Sequence, residues 1–212
     1  MQNNCIFERM SQIQIALFAS GAGTNAQNLI DYFRKDAGVT IKMIAGNNVT
    51  AGVVGIATRE RIPFLLLEKK RFDLDGYLSE FTQQNINLII LAGFLWKIPP
   101  VLIQQYPGRI INIHPALLPA FGGKGMYGMN VHTAVINSKS KESGISIHQV
   151  DEIYDHGNII FQARCTIEPS DTPESLATKI HALEYAYYPE VIDSFINTSF
   201  PGRNEKSKIT VK

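Results

Sequence analysis

Short, largely apolar runs recur through the first half of the chain, and most are followed by a segment whose apolar residues return every three or four positions. The runs are Ile13 to Phe18, Val39 to Ala45, Phe64 to Leu67, Leu88 to Ala92 and Ile110 to Ile113. Runs of four to eight apolar residues fit strands buried on both faces. Between them, Ala26, Leu29, Ile30 and Phe33 mark one face of a helix. Gly52 to Arg61 and Pro99 to Gln105 fit two more. Leu74, Leu78 and Phe81 are spaced for another, although Gly76 weakens it. Strand and helix in alternation imply a parallel sheet covered by helices, since a parallel neighbour is reached only by a crossover. Functional groups in such sheets gather beyond the carboxyl ends of the strands.

The second half departs from that rhythm. Pro115 to Asn130 holds two prolines and four glycines without periodicity. A loop that long in a compact domain is usually functional or disordered. Val131 to Asn137 fits a short helix. Gly144 to Val150 and Ile159 to Thr166 alternate as strands. Asp171 or Thr172 can cap a final helix, with Pro173 and Glu174 in its first turn. Its expected buried stripe is Leu176, Ile180, Leu183, Tyr187, Val191 and Phe195, with a kink at Pro189. The expected architecture is therefore α/β: a Rossmann-like, mostly parallel sheet flanked by helices, with a C-terminal strand pair and a long final helix. One domain is expected over residues 12–198, with residues 1–11 a loose leader and 199–212 a polar tail.

Composition excludes several classes. With 45% hydrophobic and 18% charged residues and a net charge of +1, the 212-residue chain carries no signature of a general polyanion binder. No nucleic-acid partner is expected. No apolar run approaches the roughly 20 residues of a membrane helix. The first ten residues lack the apolar core of a secretory signal. Cys5 and Cys165 suit a reducing compartment better than a disulfide. No metal-ligand spacing is present, so no metal is expected.

Two stretches carry chemistry. Gly21-Ala22-Gly23-Thr24-Asn25-Ala26 lies between a strand and a helix. Glycines let the backbone approach a phosphate, and the helix N-terminus supplies N–H donors. The bland alternative is a tight turn. The second strand ends in Asn47-Asn48, with no carboxylate for a dinucleotide ribose, which favours a single phosphate over a dinucleotide. The other stretch is Ile110 to Pro119, a strand that ends by presenting Asn112 and His114. Residues two apart in a strand face the same way. An amide donor beside an imidazole suits the polarisation of a carbonyl, although a lone histidine is more often structural. Asp155 sits in an acidic turn; beside His114 it would favour the imidazolium. By default Glu184 reads as a surface charge and His148 as a structural strand residue, while Trp96, Met126 and Met129 read as packing or loop contacts.

Ser20-Gly21-x-Gly23-Thr24-Asn25, Leu91-Ala92-Gly93-Phe94, Asn112-Ile113-His114-Pro115-x-Leu117-Leu118-Pro119, Asp155-x-Gly157 and Tyr188-Pro189 occur in that order. Together they resemble the phosphoribosylglycinamide formyltransferase family over residues 12–198. The resemblance implies transfer of a formyl group from 10-formyltetrahydrofolate, a cosubstrate, to the amine of glycinamide ribonucleotide in purine synthesis. It implies a cytoplasmic enzyme, monomeric or homodimeric. Gly23, Thr24 and Asn25 would hold the phosphate. His181 and Glu184 would bind the ribose or glycinamide part. Leu95, Trp96, Lys97 and Ile98 would line the folate cleft, with Asn112 and the loop Asp151, Glu152, Ile153, Tyr154 and Asp155. Asn112, His114 and Asp155 would be the catalytic set.

There are departures from the family pattern. Trp96-Lys97 stands where an arginine often follows the phenylalanine, and an arginine after the third strand has only Arg71 as a near counterpart. The methionyl-tRNA formyltransferases carry a further carboxyl-terminal domain, for which no room is expected here. The formyltetrahydrofolate deformylases, which give the formyl group to water, carry an amino-terminal domain but share the catalytic core and remain the nearest alternative. A non-catalytic phosphate-binding module is the third reading.

Overall fold

The computed structural model describes residues 12–200; the expected leader, Cys5 and the tail from Pro201 onward lie outside them. The elements in chain order are β1 (Ile13–Phe18), α1 (Thr24–Phe33), β2 (Val39–Gly46), α2 (Gly52–Glu60), β3 (Phe64–Leu66), α3 (Lys69–Asp75), α4 (Leu78–Gln83), β4 (Leu88–Leu91), α5 (Pro100–Gln105), β5 (Ile110–His114), α6 (Met129–Asn137), β6 (Glu142–Gln149), β7 (Ile159–Thr166) and α7 (Pro173–Ser199). The strands form one sheet in the order β3-β2-β1-β4-β5-β6-β7. The first five are parallel, and β6 and β7 are added antiparallel. This is the expected α/β sheet with its C-terminal strand pair and long last helix.

Alternation along β1 divides the core. Ile13, Ile15 and Leu17 pack with α1, α2, α6 and α7, whereas Ala16 and Phe18 pack with α3, α4 and α5. Helices thus cover both faces, which is why these strands read as largely apolar runs. The chain moves outward from β1 to β3 and then returns to β4 on the other side of β1. That reversal opens a crevice beyond the carboxyl ends of β1 and β4.

Two helical expectations change. The helix expected across Gly76 is two helices, because Gly76 (φ 59°) and Tyr77 (φ 56°) both turn left-handed. α7 is a single helix of 27 residues with Pro189 inside it. The buried stripe of α7 is also rotated: Leu176, Ile180, Glu184, Tyr188, Ile192 and Ile196 are buried, while Tyr187 is exposed. The exchange is decided by polar partners. The Tyr188 hydroxyl donates to the Leu91 carbonyl at 3.0 Å, fastening α7 over the end of β4. Thr172 is the cap, in a reciprocal box with Ser175.

Candidate active site

The crevice is a cavity of about 740 Å³. Its floor begins with the turn between β1 and α1. Gly23 takes φ 81°, and a Cβ there would come within 2.8 Å of Ile56 and Val53. Only glycine fits that turn without strain. Ser20 ties the turn to the next loop: its amide donates to the Gly93 carbonyl, and its hydroxyl accepts from the Leu95 amide at 3.1 Å. Thr24 and Asn25 open α1 and line the cavity with Gly23. Asn25 Nδ2 donates to Glu184 Oε2 at 3.0 Å, and His181 Nδ1 lies 3.1 Å from the same oxygen. Glu184 is buried rather than a surface charge. Its hydrogen bond raises the His181 imidazole above its usual pKa, against the opposing effect of burial.

At the end of β5, Asn112 and His114 point to the face opposite Ile111 and Ile113, which enter the core. Across the antiparallel pair, Asn112 stands opposite His148 on β6. His148 Nδ1 donates to the Gln149 carbonyl at 2.8 Å, which leaves Nε2 to accept from Asn112 Nδ2 at 3.0 Å. Asn112 Nδ2 also lies 3.5 Å from Asp155 Oδ1. His114 Nε2 donates to the Phe121 carbonyl at 2.8 Å, leaving Nδ1 to face Asp155 Oδ2 at 3.6 Å. That carboxylate oxygen also accepts from the Gly123 amide at 2.9 Å. Phe121 and Asp155, which supply the surroundings of the two His114 nitrogens, both hold left-handed backbones (φ 57° and 53°). Strained residues of this kind gather at functional sites.

Burial lowers the His114 pKa, and the Asp155 charge beside it opposes the shift without cancelling it. Asp155 thus favours the imidazolium, as the sequence suggests, but burial outweighs it and leaves the ring mostly neutral at pH 7 with no substrate present. Burial also pushes the Asp155 carboxyl up, but the His148 ring, the His114 charge and the Gly123 amide together hold it below its usual value. The site thus pairs an ionised carboxylate with a neutral imidazole whose free nitrogen faces it.

The expected folate side mixes apolar and charged side chains. Leu95, Trp96, Lys97 and Ile98 line one wall; Asp151, Ile153, Tyr154 and Asp155 line the other. Glu152, expected there from the sequence, does not line the cavity. Trp96 meets Phe94 edge-on and Phe72 at a tilt, and carries Lys69 over its ring, so it packs and lines at once. Met126 and Met129 also line the cavity. Arg71 is committed elsewhere, to Asp75 and Glu80 and over the Tyr77 ring. Among the described residues no cluster of three His, Cys, Asp or Glu side chains could hold a metal.

Two histidines of the cavity are not legible in the sequence. His148 reads there as structural, yet it holds the Asn112 amide. Only the β5–β6 register brings the two together, and nothing local in the sequence reports a pairing 36 positions apart. His132, on α6, lines the cavity from a buried position. Its place early in a short helix after a glycine-rich loop carries no signal.

A parallel sheet with its crevice at the switch point, carrying an amide, an imidazole and a carboxylate around one small volume, defines an enzyme of the formyl transferase class. The family profile described as "Formyl transferase" matches residues 13–192. The chain is 36% identical over 200 residues to the chloroplastic phosphoribosylglycinamide formyltransferase of Arabidopsis thaliana, covering 91% of this chain and 68% of that one. It is 32% identical to the phosphoribosylglycinamide formyltransferase of Bacillus subtilis, covering 92% and 99%. The crystal structure of the Bacillus halodurans phosphoribosylglycinamide formyltransferase superposes with a TM-score of 0.80 at 33% identity, covering 88% of this chain and 96% of that one. The chain belongs to the phosphoribosylglycinamide formyltransferase family.

Proposed function

We propose that this enzyme transfers the formyl group of 10-formyltetrahydrofolate to the amine of glycinamide ribonucleotide. The observation that carries the reading is one continuous cavity. It joins an anion-accepting glycine turn at Gly23 to Asn25 to the Asn112, His114 and Asp155 set, and then to a cleft at Leu95 to Ile98. A phosphorylated amine and a flat reduced folate fill its two arms. The phosphate lies on the α1 N-terminus, where N–H donors and the helix dipole favour an anion. Asn25, Glu184 and His181 receive the ribose and fix the distance from phosphate to amine. Such remote binding holds the nucleophile against the carbonyl and removes much of the entropic barrier.

The amine nitrogen attacks the formyl carbon and a tetrahedral intermediate forms. Negative charge gathers on the formyl oxygen beside Asn112 and His114. The developing anion favours protonation of His114, which takes up the proton that the amine loses, and Asp155 stabilises the resulting imidazolium. The amine loses one proton, taken through Asp155 and water. The imidazolium returns that proton to the folate nitrogen as the bond from that nitrogen to the formyl carbon breaks and the formyl C=O re-forms. Atoms balance, with no oxidant, reductant or metal in the sequence of steps. The individual roles of these residues, and the cytoplasmic setting expected from the sequence, belong to the same proposal.

The test is folate release from 10-formyltetrahydrofolate, or a stable deaza analogue, with and without glycinamide ribonucleotide. The reading requires release that depends on the ribonucleotide. Equal release in its absence makes water the acceptor and removes the substrate assigned to the glycine turn.

A further inference from the structure

The two arms of the cavity are walled by two different loops. The turn after β1 supplies Gly21 to Asn25, and the loop after β4 supplies Gly93 to Ile98. β1 and β4 are parallel neighbours, with Phe18 opposite Leu91, and the Ala92 amide still donates to the Phe18 carbonyl at 2.8 Å. Ser20 carries that ladder one step beyond the strand ends. Its amide donates to the Gly93 carbonyl at 3.0 Å, and its hydroxyl accepts from the Leu95 amide at 3.1 Å. In a regular parallel ladder the main-chain carbonyl of the same residue takes the second bond. Here the side-chain oxygen takes it, and the backbone turns away into the glycine turn. Among the described residues no other hydrogen bond joins residues 20–25 to residues 93–98. Ser20 does not itself line the cavity, although the residues on either side of its two bonds do.

We propose that Ser20 is a positioning residue for the transfer: its hydroxyl fixes the folate wall at Leu95 to the glycine turn, and so sets the distance at which the amine meets the formyl carbon. The proposal rests on the two-substrate reading of the cavity. Each wall has its own anchorage. Gly23 is packed against Ile56 and Val53, and Phe94 meets Phe18 edge-on with ring centroids 5.2 Å apart. Loss of the hydroxyl therefore leaves both walls folded and each substrate its own arm. The Leu95 bond lies at the exposed rim, so water can satisfy a freed amide. Water does not hold that amide at a fixed distance from the turn. Two reactants bound in separate arms react only when the arms are in register, and a misplacement of about 1 Å can cost on the order of a hundredfold in rate. The effect of Ser20 thus falls on turnover rather than on the binding of either substrate.

The test compares wild-type protein with Ser20→Ala, which removes the hydroxyl, and Ser20→Thr, which keeps it. Titration calorimetry measures glycinamide ribonucleotide and a folate analogue separately. Steady-state kinetics give kcat, and NMR hydrogen exchange follows the Leu95 amide. In Ser20→Ala the Leu95 amide should exchange faster, with a melting temperature near that of the wild type and both affinities nearly unchanged. Its kcat should fall on the order of tenfold to a hundredfold. Ser20→Thr should protect the Leu95 amide again and recover most of the turnover. Unchanged kcat in a folded Ser20→Ala overturns the proposal. A loss of either affinity as large as the loss of kcat overturns it too, as does a Ser20→Thr that protects Leu95 yet turns over no faster than Ser20→Ala. If Ser20→Ala does not fold, a Leu95 amide that exchanges freely in the wild-type protein overturns it equally. A wild-type protein that forms no formylated ribonucleotide removes the substrate reading itself, and this proposal with it.

Discussion

His114 Nδ1 faces the Asp155 carboxylate across 3.6 Å, while Nε2 of the same ring donates to the Phe121 carbonyl at 2.8 Å. In the neutral ring there is no proton between imidazole and carboxylate. The pair is thus prepared to take up one proton when negative charge appears beside it. Its removal should abolish turnover before it abolishes binding. His114→Ala and Asp155→Asn are each expected to lower kcat on the order of a hundredfold to a thousandfold. Calorimetry should show substrate affinities changed by only a few-fold. Lost binding with unchanged kcat at saturation contradicts the role.

Protonation gives a second check. His114 should titrate below its ordinary 6.5, since burial outweighs Asp155. Asp155→Asn removes the charge that raises it, so the titration should move lower still by NMR. The sign carries into stability. A histidine whose folded pKa is depressed contributes stability that is fully present above the unfolded value and is lost as pH falls through the folded one. Wild-type protein should therefore lose more stability below pH 6.5 than His114→Asn does, read by denaturant melts across that window.

The polar set that is legible in the sequence is the local one. Asn112 and His114 follow from strand alternation, and Gly23 from a strand-to-helix turn. Asp155 stands out in its acidic turn, but its meeting with His114 depends on a loop that folds back over the strand end. Gly157 permits that return, since a Cβ there would lie 1.9 Å from the Gln149 carbonyl. Glu184 reads as a surface charge because helical periodicity marks Leu183 and Tyr187 as the buried positions. Burial of Glu184 depends on Asn25, 159 positions away. Partners so distant leave no periodic trace, and the same holds for His148 and Asn112.

The Asn25–Glu184 hydrogen bond of 3.0 Å yields a third prediction. Asn25→Ala leaves a buried carboxylate short of a partner, which costs about 1–3 kcal/mol of stability. The KM for glycinamide ribonucleotide should rise about tenfold or more, with the KM for the folate nearly unchanged. Glu184→Gln should lower the His181 pKa, because the carboxylate is what raises it. Steady-state kinetics and a histidine titration check the two halves.

Gly23→Ala should be more damaging than its size suggests. The new methyl meets Ile56 and Val53 at 2.8 Å on a backbone of φ 81°. A strained left-handed residue costs on the order of 1–3 kcal/mol, and the overlap adds to it. Thermal melts should show the loss, and phosphate-side affinity should fall with it. Gly21→Ala, with open space at its Cβ, should be tolerated.

The most direct test of the central claim follows the formyl carbon itself. Wild-type protein is given 10-formyltetrahydrofolate labelled in the formyl group, with glycinamide ribonucleotide, and the label is located in a single turnover. The account predicts label on the amine of the ribonucleotide, in amounts matching the folate released, and transfer slowed on the order of a hundredfold to a thousandfold in His114→Ala. Label recovered as formate, at the same rate whether or not the ribonucleotide is present, contradicts it.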